Sequence, residues 1–475
     1  MEALTRHGPR VLSSILLAAL LALQFAVFVG VSDWTSHFPG GDEPYYVLKA
    51  IHLAEHRAFP RASGEVRLVE EGKAWGATDF RPPGYALFVA LCNGFRTDVE
   101  GLRFRCGVAQ FLLMAVTLFA LHRVLTRFVP DVRAHYAAAI LFGVQPWTFE
   151  YAGSIVPDSL TASLAGLGLA ALAGVVDGRH AVRRMAPGAL LLGSTFLLRP
   201  EMFILVPLVL AAAVMLRSRT HADRATGRVA VAATVVFLAM TLLQVTYRIY
   251  FSGSPGLFGR RVLPNPGAFA WVHTWINTEK SGYDAIVFRL RAEEPLSLSE
   301  IPARAFAHEG EREAIGRALE IAESVGYGAE ADRIFGEVAS QRVREKPLRR
   351  FVLPRLWRTA HLWLNLETSS TLRNLLEPVP RGIRRVVYGG FFVLKLVVLA
   401  LTVLLVAILW RRRHRPAPFD GWLVILLVFI VGRTLLIGIG FGSMEHRYVL
   451  AAWPPMLVCA AAAAFNLVGR QANGA

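Results

Sequence analysis

Three acidic and two basic residues that could act on a phosphorylated substrate stand in four separate segments of the chain. They are Asp42 and Glu43 in "GGDEPYY", Arg81 in "FRPPGY", Asp158 in "VPDSL" and Arg447 in "EHRYVL". A carboxylate can accept the proton of an attacking hydroxyl, and a guanidinium can hold two phosphate oxygens. Taken singly, each is more often a helix cap or an interfacial anchor. Their chemistry therefore depends on whether the fold brings them together.

The composition indicates a polytopic membrane protein. Hydrophobic residues make up 54% of the chain and charged residues only 18%, with a formal net charge of +16. Such a charge would suggest nucleic acid as the partner of a soluble domain. Here the basic residues gather in short segments between apolar runs, as they do where charge sets orientation in a bilayer. We therefore expect the lipid bilayer as a partner, and no nucleic acid.

The apolar runs predict an all-α fold with about ten transmembrane spans. Arginine-bearing loops all fall on one side when the run at 187–216 is read as two spans. This predicts cytoplasmic termini and a multi-pass protein of the plasma membrane. The arginine-rich, lysine-poor composition is typical of a GC-rich bacterial genome, so the membrane is expected to be a bacterial inner membrane. The predicted spans are 11–31, 104–126, 135–153, 157–177, the two halves of 187–216, 229–250, 386–410, 421–441 and 448–468.

Arg199-Pro200-Glu201 interrupts the run at 187–216. Each half covers only ~20–25 Å at 1.5 Å per residue, which is less than a full span. In one interpretation Arg199 and Glu201 satisfy each other in a turn at the outer surface. In the other, the turn dips below the surface and lines a wet cavity, because free backbone groups cannot be left in hydrocarbon. Both alternatives are open from the sequence.

The spans divide the chain into three parts. Residues 1–250 form a transmembrane core with a first external loop at 32–103, 251–385 form an extracytoplasmic helical insertion, and 386–475 form a C-terminal three-span bundle. Within the insertion, 309–326 and 328–347 have helical periodicity and end at Gly or Pro. The segment that follows them, "LRRFVLPRLWRTAHLWLN", mixes arginines with tryptophans, which is typical of a helix in the membrane interface.

Two short interfacial helices are predicted in the first external loop. Pro44 suits the first turn of a helix, and Asp42 and Glu43 would lie at its N-terminus, where the helix dipole favours their charged forms. The segment after them, "YYVLKAIHLAEH", is amphipathic and too polar to span. A second, apolar helix follows Arg81-Pro82-Pro83.

These motifs resemble those of the GT-C superfamily of membrane glycosyltransferases. The resemblance is closest to the branch of bacterial protein O-mannosyltransferases and lipid A aminoarabinose transferases. That branch carries D-E-x-x-Y and K-P-P-like motifs in the first external loop, an acidic residue in the second, and an Arg-Tyr pair with downstream prolines at a late span. Arg81 replaces the usual lysine and keeps its charge but changes its geometry. The matching residues are Asp42, Glu43, Tyr46, Arg81, Pro82, Pro83, Tyr85, Asp158, Arg447, Tyr448, Pro454 and Pro455.

The resemblance implies a transferase that moves a sugar from a polyprenyl phosphate to an acceptor hydroxyl on the extracytoplasmic face, with inversion. Asp42 would be the base, while Glu43 and Asp158 would orient the acceptor or hold a divalent cation. Arg81, Arg447 and Tyr448 would bind the donor phosphate. The expected supporting residues are Tyr46, Tyr85, Arg199 and Glu201. No nucleotide cofactor is expected, and the acceptor is a glycan, a lipid or a protein.

The main alternative is a multi-pass transporter or flippase of lipid-linked sugars. Such a protein would also place charges and a helix break inside a bundle. It would not require Asp42-Glu43 on an interfacial helix or a large external insertion, and it commonly shows internal repeats, which this sequence lacks. A non-catalytic assembly protein is the third class considered.

Overall fold

The computed structural model describes most of the chain, and Asp42 and Arg81 lie outside the described residues. The described residues are 2–32, 34, 43–60, 67–70, 73–76, 82–129, 131–146, 149, 151–176, 181–220, 224–252, 266–275, 286, 289–291, 296–364, 376–412, 418–441 and 446–472.

The chain forms two compact units. The first comprises Met1–Gly259, Leu366–Arg433 and Arg447–Ala475, and the second comprises Arg260–Asn365 and Thr434–His446. The helices in chain order are α1 (Glu2–Val31), α2 (Glu43–His56), α3 (Pro83–Cys92), α4 (Leu102–Phe128), α5 (Val132–Val144), α6 (Asp158–Val176), α7 (Ala181–Phe196), α8 (Met202–Thr220), α9 (Arg224–Ser252), α10 (Pro266–His273), α11 (Glu309–Val325), α12 (Ala329–Glu345), α13 (Leu353–Leu364), α14 (Arg381–Arg412), α15 (Pro418–Leu435) and α16 (Trp453–Ala472).

The helices confirm an all-α polytopic membrane fold. Among the described residues, eight helices are long and apolar enough to cross a membrane. Helices α5, with 13 residues, and α7, with 16, occupy the other two predicted positions. The prediction that one span covers 135–153 is wrong in its second half, because α5 ends at Val144. Pro146 disfavours the helical conformation of the residue before it, which accounts for that end.

The interrupted run at 187–216 forms α7 and α8, and each helix is longer than its half of the run. Helix α7 begins at Ala181, before the apolar segment, and α8 continues through Arg217 and Arg219. Close packing holds α7 against α6, since a Cβ added to Gly168 would lie 3.0 Å from the carbonyl oxygen of Gly188. Small residues at such contacts allow membrane helices to approach closely.

The two short helices predicted between the first two spans are present as α2 and α3. A short antiparallel hairpin, which the sequence did not suggest, stands between them in the chain. It pairs β1 (Arg67–Glu70) with β2 (Lys73–Gly76), with Leu68 opposite Trp75. Helices α2 and α3 pack through a buried apolar cluster to which α4, α6 and the α7–α8 turn also contribute.

The second unit is built on α10 to α13, and its α11 and α12 agree with the helical periodicity of the sequence. Trp271, Ile315 and Phe335 lie in its apolar core. Within that core, Arg342 Nε donates to Glu311 Oε1 at 2.8 Å. This ion pair is buried, so each charge depends on the other for solvation.

Candidate functional site

The turn between α7 and α8 holds a buried arginine that joins two carboxylates. Arg199 Nη2 contacts Asp158 Oδ1, and its Nη1 lies 3.6 Å from Glu201 Oε1. The guanidinium also lies over the ring of Tyr448, at 4.6 Å from the ring centre. The turn is therefore not a surface turn in which Arg199 and Glu201 pair only with each other.

Arg433 on α15 completes this network and is a residue that the sequence reasoning missed. Its Nη1 donates to Glu201 Oε1 at 3.2 Å, and its Nε donates to the carbonyl oxygen of Tyr448 at 2.8 Å. The side chain is only 1% exposed. An arginine inside a predicted span is the signal that could have pointed to it, because charged groups at that depth need a partner.

The network of Asp158, Glu201, Arg199 and Arg433 contains two carboxylates and two guanidinium groups. Burial by itself lowers the pKa of Arg199, but Asp158 and Glu201 outweigh that effect and raise the pKa above its usual value. Burial likewise raises the pKa of Glu201, whereas Arg433 and Arg199 lower it to below its usual value. Both groups are therefore charged at neutral pH, as expected where buried ions are paired and hydrogen-bonded.

Arg447 and Tyr448 begin the last membrane segment at a partly exposed edge of this network. They lie in a 3₁₀ stretch, His446–Ala452, that leads into α16. The Arg447 guanidinium lies 5.1 Å from the centre of the Tyr448 ring, and its Nη2 donates to the Tyr448 hydroxyl at 3.4 Å. Tyr448 is thus flanked by two arginines, Arg199 and Arg447.

Glu43 is the first residue of α2 and is buried. Its Oε1 accepts from the backbone N–H of Ile155 at 3.1 Å and lies 3.5 Å from Arg103 Nη2. Arg103 also donates through Nε to the carbonyl oxygen of Gly153 at 3.0 Å. Glu43 and Arg103 therefore hold the loop that leads to Asp158, and Arg103 is a second residue that the sequence reasoning missed.

Tyr46 and Tyr85 lie in the buried cluster beneath these groups. Their rings meet edge to face at 4.9 Å. The Tyr85 hydroxyl donates to Gln110 Oε1 at 3.2 Å, and Gln110 Nε2 donates to the carbonyl oxygens of Ala152 and Ser154, both at 2.9 Å. Both tyrosines thus support the loop before Asp158.

The N-terminus of α3 is held against the α7–α8 turn. The backbone N–H of Gly84 donates to the carbonyl oxygen of Leu197 at 3.0 Å. A Cβ at Gly84 would lie 2.7 Å from that oxygen, so the contact requires glycine. Arg81 precedes this contact by three residues and Asp42 directly precedes Glu43 in the chain, although both lie outside the described residues.

The described residues contain no group of three His, Cys, Asp or Glu side chains that could hold a metal ion. Asp158 nevertheless offers a buried oxygen, because its Oδ2 has no hydrogen-bond partner among the described residues. Carboxylate oxygens are ligands that hard divalent cations prefer. All of the described site residues lie in the first unit.

No protein-family model matches the sequence, and a search of curated proteins finds no match. A solved structure of the archaeal oligosaccharyltransferase AglB from Archaeoglobus fulgidus, in complex with an inhibitory peptide and a dolichol-phosphate, aligns with 94% of this chain at a TM-score of 0.50 and 16% identity. The alignment covers 50% of AglB, so this chain spans about half of that protein's length. ArnT from Cupriavidus metallidurans bound to undecaprenyl phosphate aligns over 92% of this chain and 77% of its own, at a TM-score of 0.36 and 13% identity.

The protein shares the fold of the AglB structure, which is consistent with the membrane-glycosyltransferase resemblance of its sequence motifs.

Proposed function

We propose that the protein is a glycosyltransferase that moves a sugar from a polyprenyl-phosphate donor to an acceptor hydroxyl. The reaction would take place on the extracytoplasmic face of a bacterial inner membrane. The observation that carries this proposal is the buried network of Asp158, Arg199, Glu201 and Arg433, which lies beside Tyr448 and Arg447 in a GT-C fold. The dolichol-phosphate in the AglB structure supports a lipid-phosphate donor.

Asp42 is the proposed general base. Its carboxylate would take the proton of the acceptor hydroxyl as that oxygen forms a bond to the sugar carbon. The bond from this carbon to the phosphate oxygen breaks at the same time, and the lipid phosphate leaves with the electron pair. One direct displacement inverts the configuration at the sugar carbon.

Arg447 and Arg81 are the proposed clamps of the leaving phosphate. A guanidinium holds two phosphate oxygens, and the contact strengthens as negative charge builds on the leaving group. Tyr448, which contacts Arg447, would hold that guanidinium and supply a hydroxyl at the same edge. Arg199 and Glu201 would keep Tyr448 and Asp158 in place.

Glu43 and Asp158 would orient the acceptor or hold a divalent cation. The buried Oδ2 atom of Asp158 is suited to one such contact. A bound cation would supply positive charge near the leaving phosphate. Tyr46 and Tyr85 would support the loop that carries Asp158.

The cellular test is mass analysis of envelope glycans, lipids and proteins in a strain that lacks the protein. We expect one sugar substituent to disappear and its polyprenyl-phosphate precursor to accumulate. Wild-type protein should restore the substituent, whereas protein carrying Asp42→Asn should not. Unchanged envelope glycans, lipids and proteins would contradict the proposal.

A further inference from the structure

Helix α13 of the second unit has its polarity reversed relative to a helix on a water-soluble surface. Leu353, Leu356, Trp357 and Leu364 are 42–54% exposed, and their spacing places them on one stripe of the helix. Arg358, on the opposite side, is completely buried. Its Nη2 donates to the carbonyl oxygen of His273 at 3.0 Å. The polar side chain thus faces protein, and the apolar stripe faces outward.

The same helix packs on the end of a membrane span. Arg355 Nε donates to the carbonyl oxygen of Ile439 at 3.1 Å, and Gly438 lies so close to Thr359 that an added Cβ would collide with it. Ile439 is the last residue of the candidate span Phe419–Ile439. Helix α13 therefore packs against the last residues of this candidate span.

The residues around the stripe are of the types that are common at a membrane interface. The Arg355 guanidinium lies 3.5 Å from the ring centre of Phe351, and Arg349, one turn before Leu353, is exposed. Trp357 is the exposed tryptophan of the stripe, whereas Trp363 is buried. Exposed arginine and tryptophan beside an apolar stripe favour a bilayer interface, where headgroups are anionic and the acyl chains begin.

We propose that α13 lies in the plane of the membrane and inserts its apolar stripe among the acyl chains of the adjoining leaflet. The partner is the bilayer and not a second protein, because exposed arginine and tryptophan flank the apolar stripe beside the end of a candidate span. The helix would anchor the second unit to the membrane. This inference does not depend on the transfer reaction, so its failure and the failure of the proposed function are distinguishable.

The test places an environment-sensitive NBD probe on the stripe. Trp357→Cys and Leu356→Cys are each made in a chain with Cys92→Ser, because Cys92 is partly exposed whereas Cys106 and Cys459 are buried. Labelled protein is reconstituted at one copy per nanodisc, and emission is measured with doxyl-labelled lipids and with aqueous iodide. We expect blue-shifted emission that doxyl lipids quench severalfold and iodide quenches little.

A probe at Val325→Cys, an apolar position of α11 that is 79% exposed, is the matched reference for contact with water. Iodide quenching at 356 and 357 equal to that at 325 would overturn the proposal. Protection from both quenchers would also overturn it, since protein and not lipid would then cover the stripe. Two positions are used so that a local effect of replacing Trp357 does not decide the result.

Discussion

The charged side chains of the candidate site differ in their burial and in whether they form ion pairs. Arg199 and Arg433 are buried and engaged by Asp158 and Glu201, so they stabilise one arrangement of the network. Breaking such a buried pair typically costs about 3–5 kcal/mol, because it leaves an uncompensated charge. Arg447 stands at the partly exposed edge. We therefore assign Arg199 and Arg433 to holding the site in shape, and Arg447 to contact with the substrate.

Replacement of the proposed base tests this assignment. Asp42→Asn keeps the shape of the side chain and removes its ability to accept a proton, so transfer should fall by about 10²–10⁴-fold. Donor binding should persist, which can be measured with a labelled polyprenyl-phosphate sugar. Asp98→Asn, at an exposed acid between α3 and α4, is the matched control and should retain activity. Near-normal turnover of Asp42→Asn would move the catalytic role to Glu43 or Asp158.

The proposed phosphate clamp leads to a graded prediction at Arg447. Arg447→Ala should weaken donor binding and turnover. Arg447→Lys should have an intermediate effect, because lysine keeps the charge but loses the forked donors of the guanidinium. Activity is measured per molecule of correctly inserted protein. The same two substitutions at Arg219, which is exposed in the last turn of α8, should leave activity unchanged. Full activity per inserted Arg447→Ala molecule would indicate an interfacial anchor and remove Arg447 from the site.

At the scale of elements, we expect the site to depend on how α3 packs on the α7–α8 turn. The backbone hydrogen bond from Gly84 to Leu197 holds the N-terminus of α3. Arg81-Pro82-Pro83 leads directly into this contact. We therefore expect close packing at Gly84 to influence Arg81, the proposed phosphate ligand three residues before it.

Gly84→Ala should displace α3 without removing any proposed ligand. Alanine is a better helix former, but its Cβ would lie 2.7 Å from the Leu197 oxygen, and overpacking of this kind costs about 1–3 kcal/mol. We expect a lower thermal midpoint and a raised KM for donor. Gly389→Ala is the matched control, because the added Cβ would have no neighbouring atom of the described residues within 4 Å. Unchanged KM and stability for Gly84→Ala would show that this docking does not position the site.

Local signals predicted most of the elements. Periodicity and Pro44 predicted α2, and the helical spacing of 309–326 and 328–347 predicted α11 and α12. The hairpin at 67–76 lacked a sufficient local signal because each strand has only four residues.

The ion-pair partners of Arg103 and Arg433 could not be predicted from the residues next to them in the sequence. Their partners, Glu43 and Glu201, are 60 and 232 residues away in the chain. Only the packing of distant helices creates those pairs, so a single sequence marks the arginines as unusual without naming what they bind. Asp158, Arg199, Glu201 and Tyr448 were all predicted as candidate site residues from the sequence. The fold places these four in one network.

At the scale of the whole molecule, the one-sided arginine loops predict that residues 251–385 are extracytoplasmic. A reporter that is active only in the cytoplasm, fused near Gly310, should therefore be inactive. A reporter that is active only outside the cytoplasm should be active at the same position. Fusions after Arg412, in the basic segment following α14, provide the opposite reference. Activity of the cytoplasmic reporter at Gly310 would indicate the opposite orientation in the membrane. It would then contradict the proposed extracytoplasmic face of the reaction.

The central claim is sugar transfer from a polyprenyl phosphate, and the most direct measurement follows both products in proteoliposomes. Purified protein is reconstituted with a polyprenyl-phosphate sugar labelled in the sugar, together with envelope acceptors from the strain that lacks the protein. The masses of the lipid and of the acceptor are then recorded over time. We predict that the lipid loses its sugar as the acceptor gains the same mass, and that Asp42→Asn suppresses both changes. Movement of intact labelled lipid between leaflets, with no sugar transferred, would contradict the account and indicate a flippase.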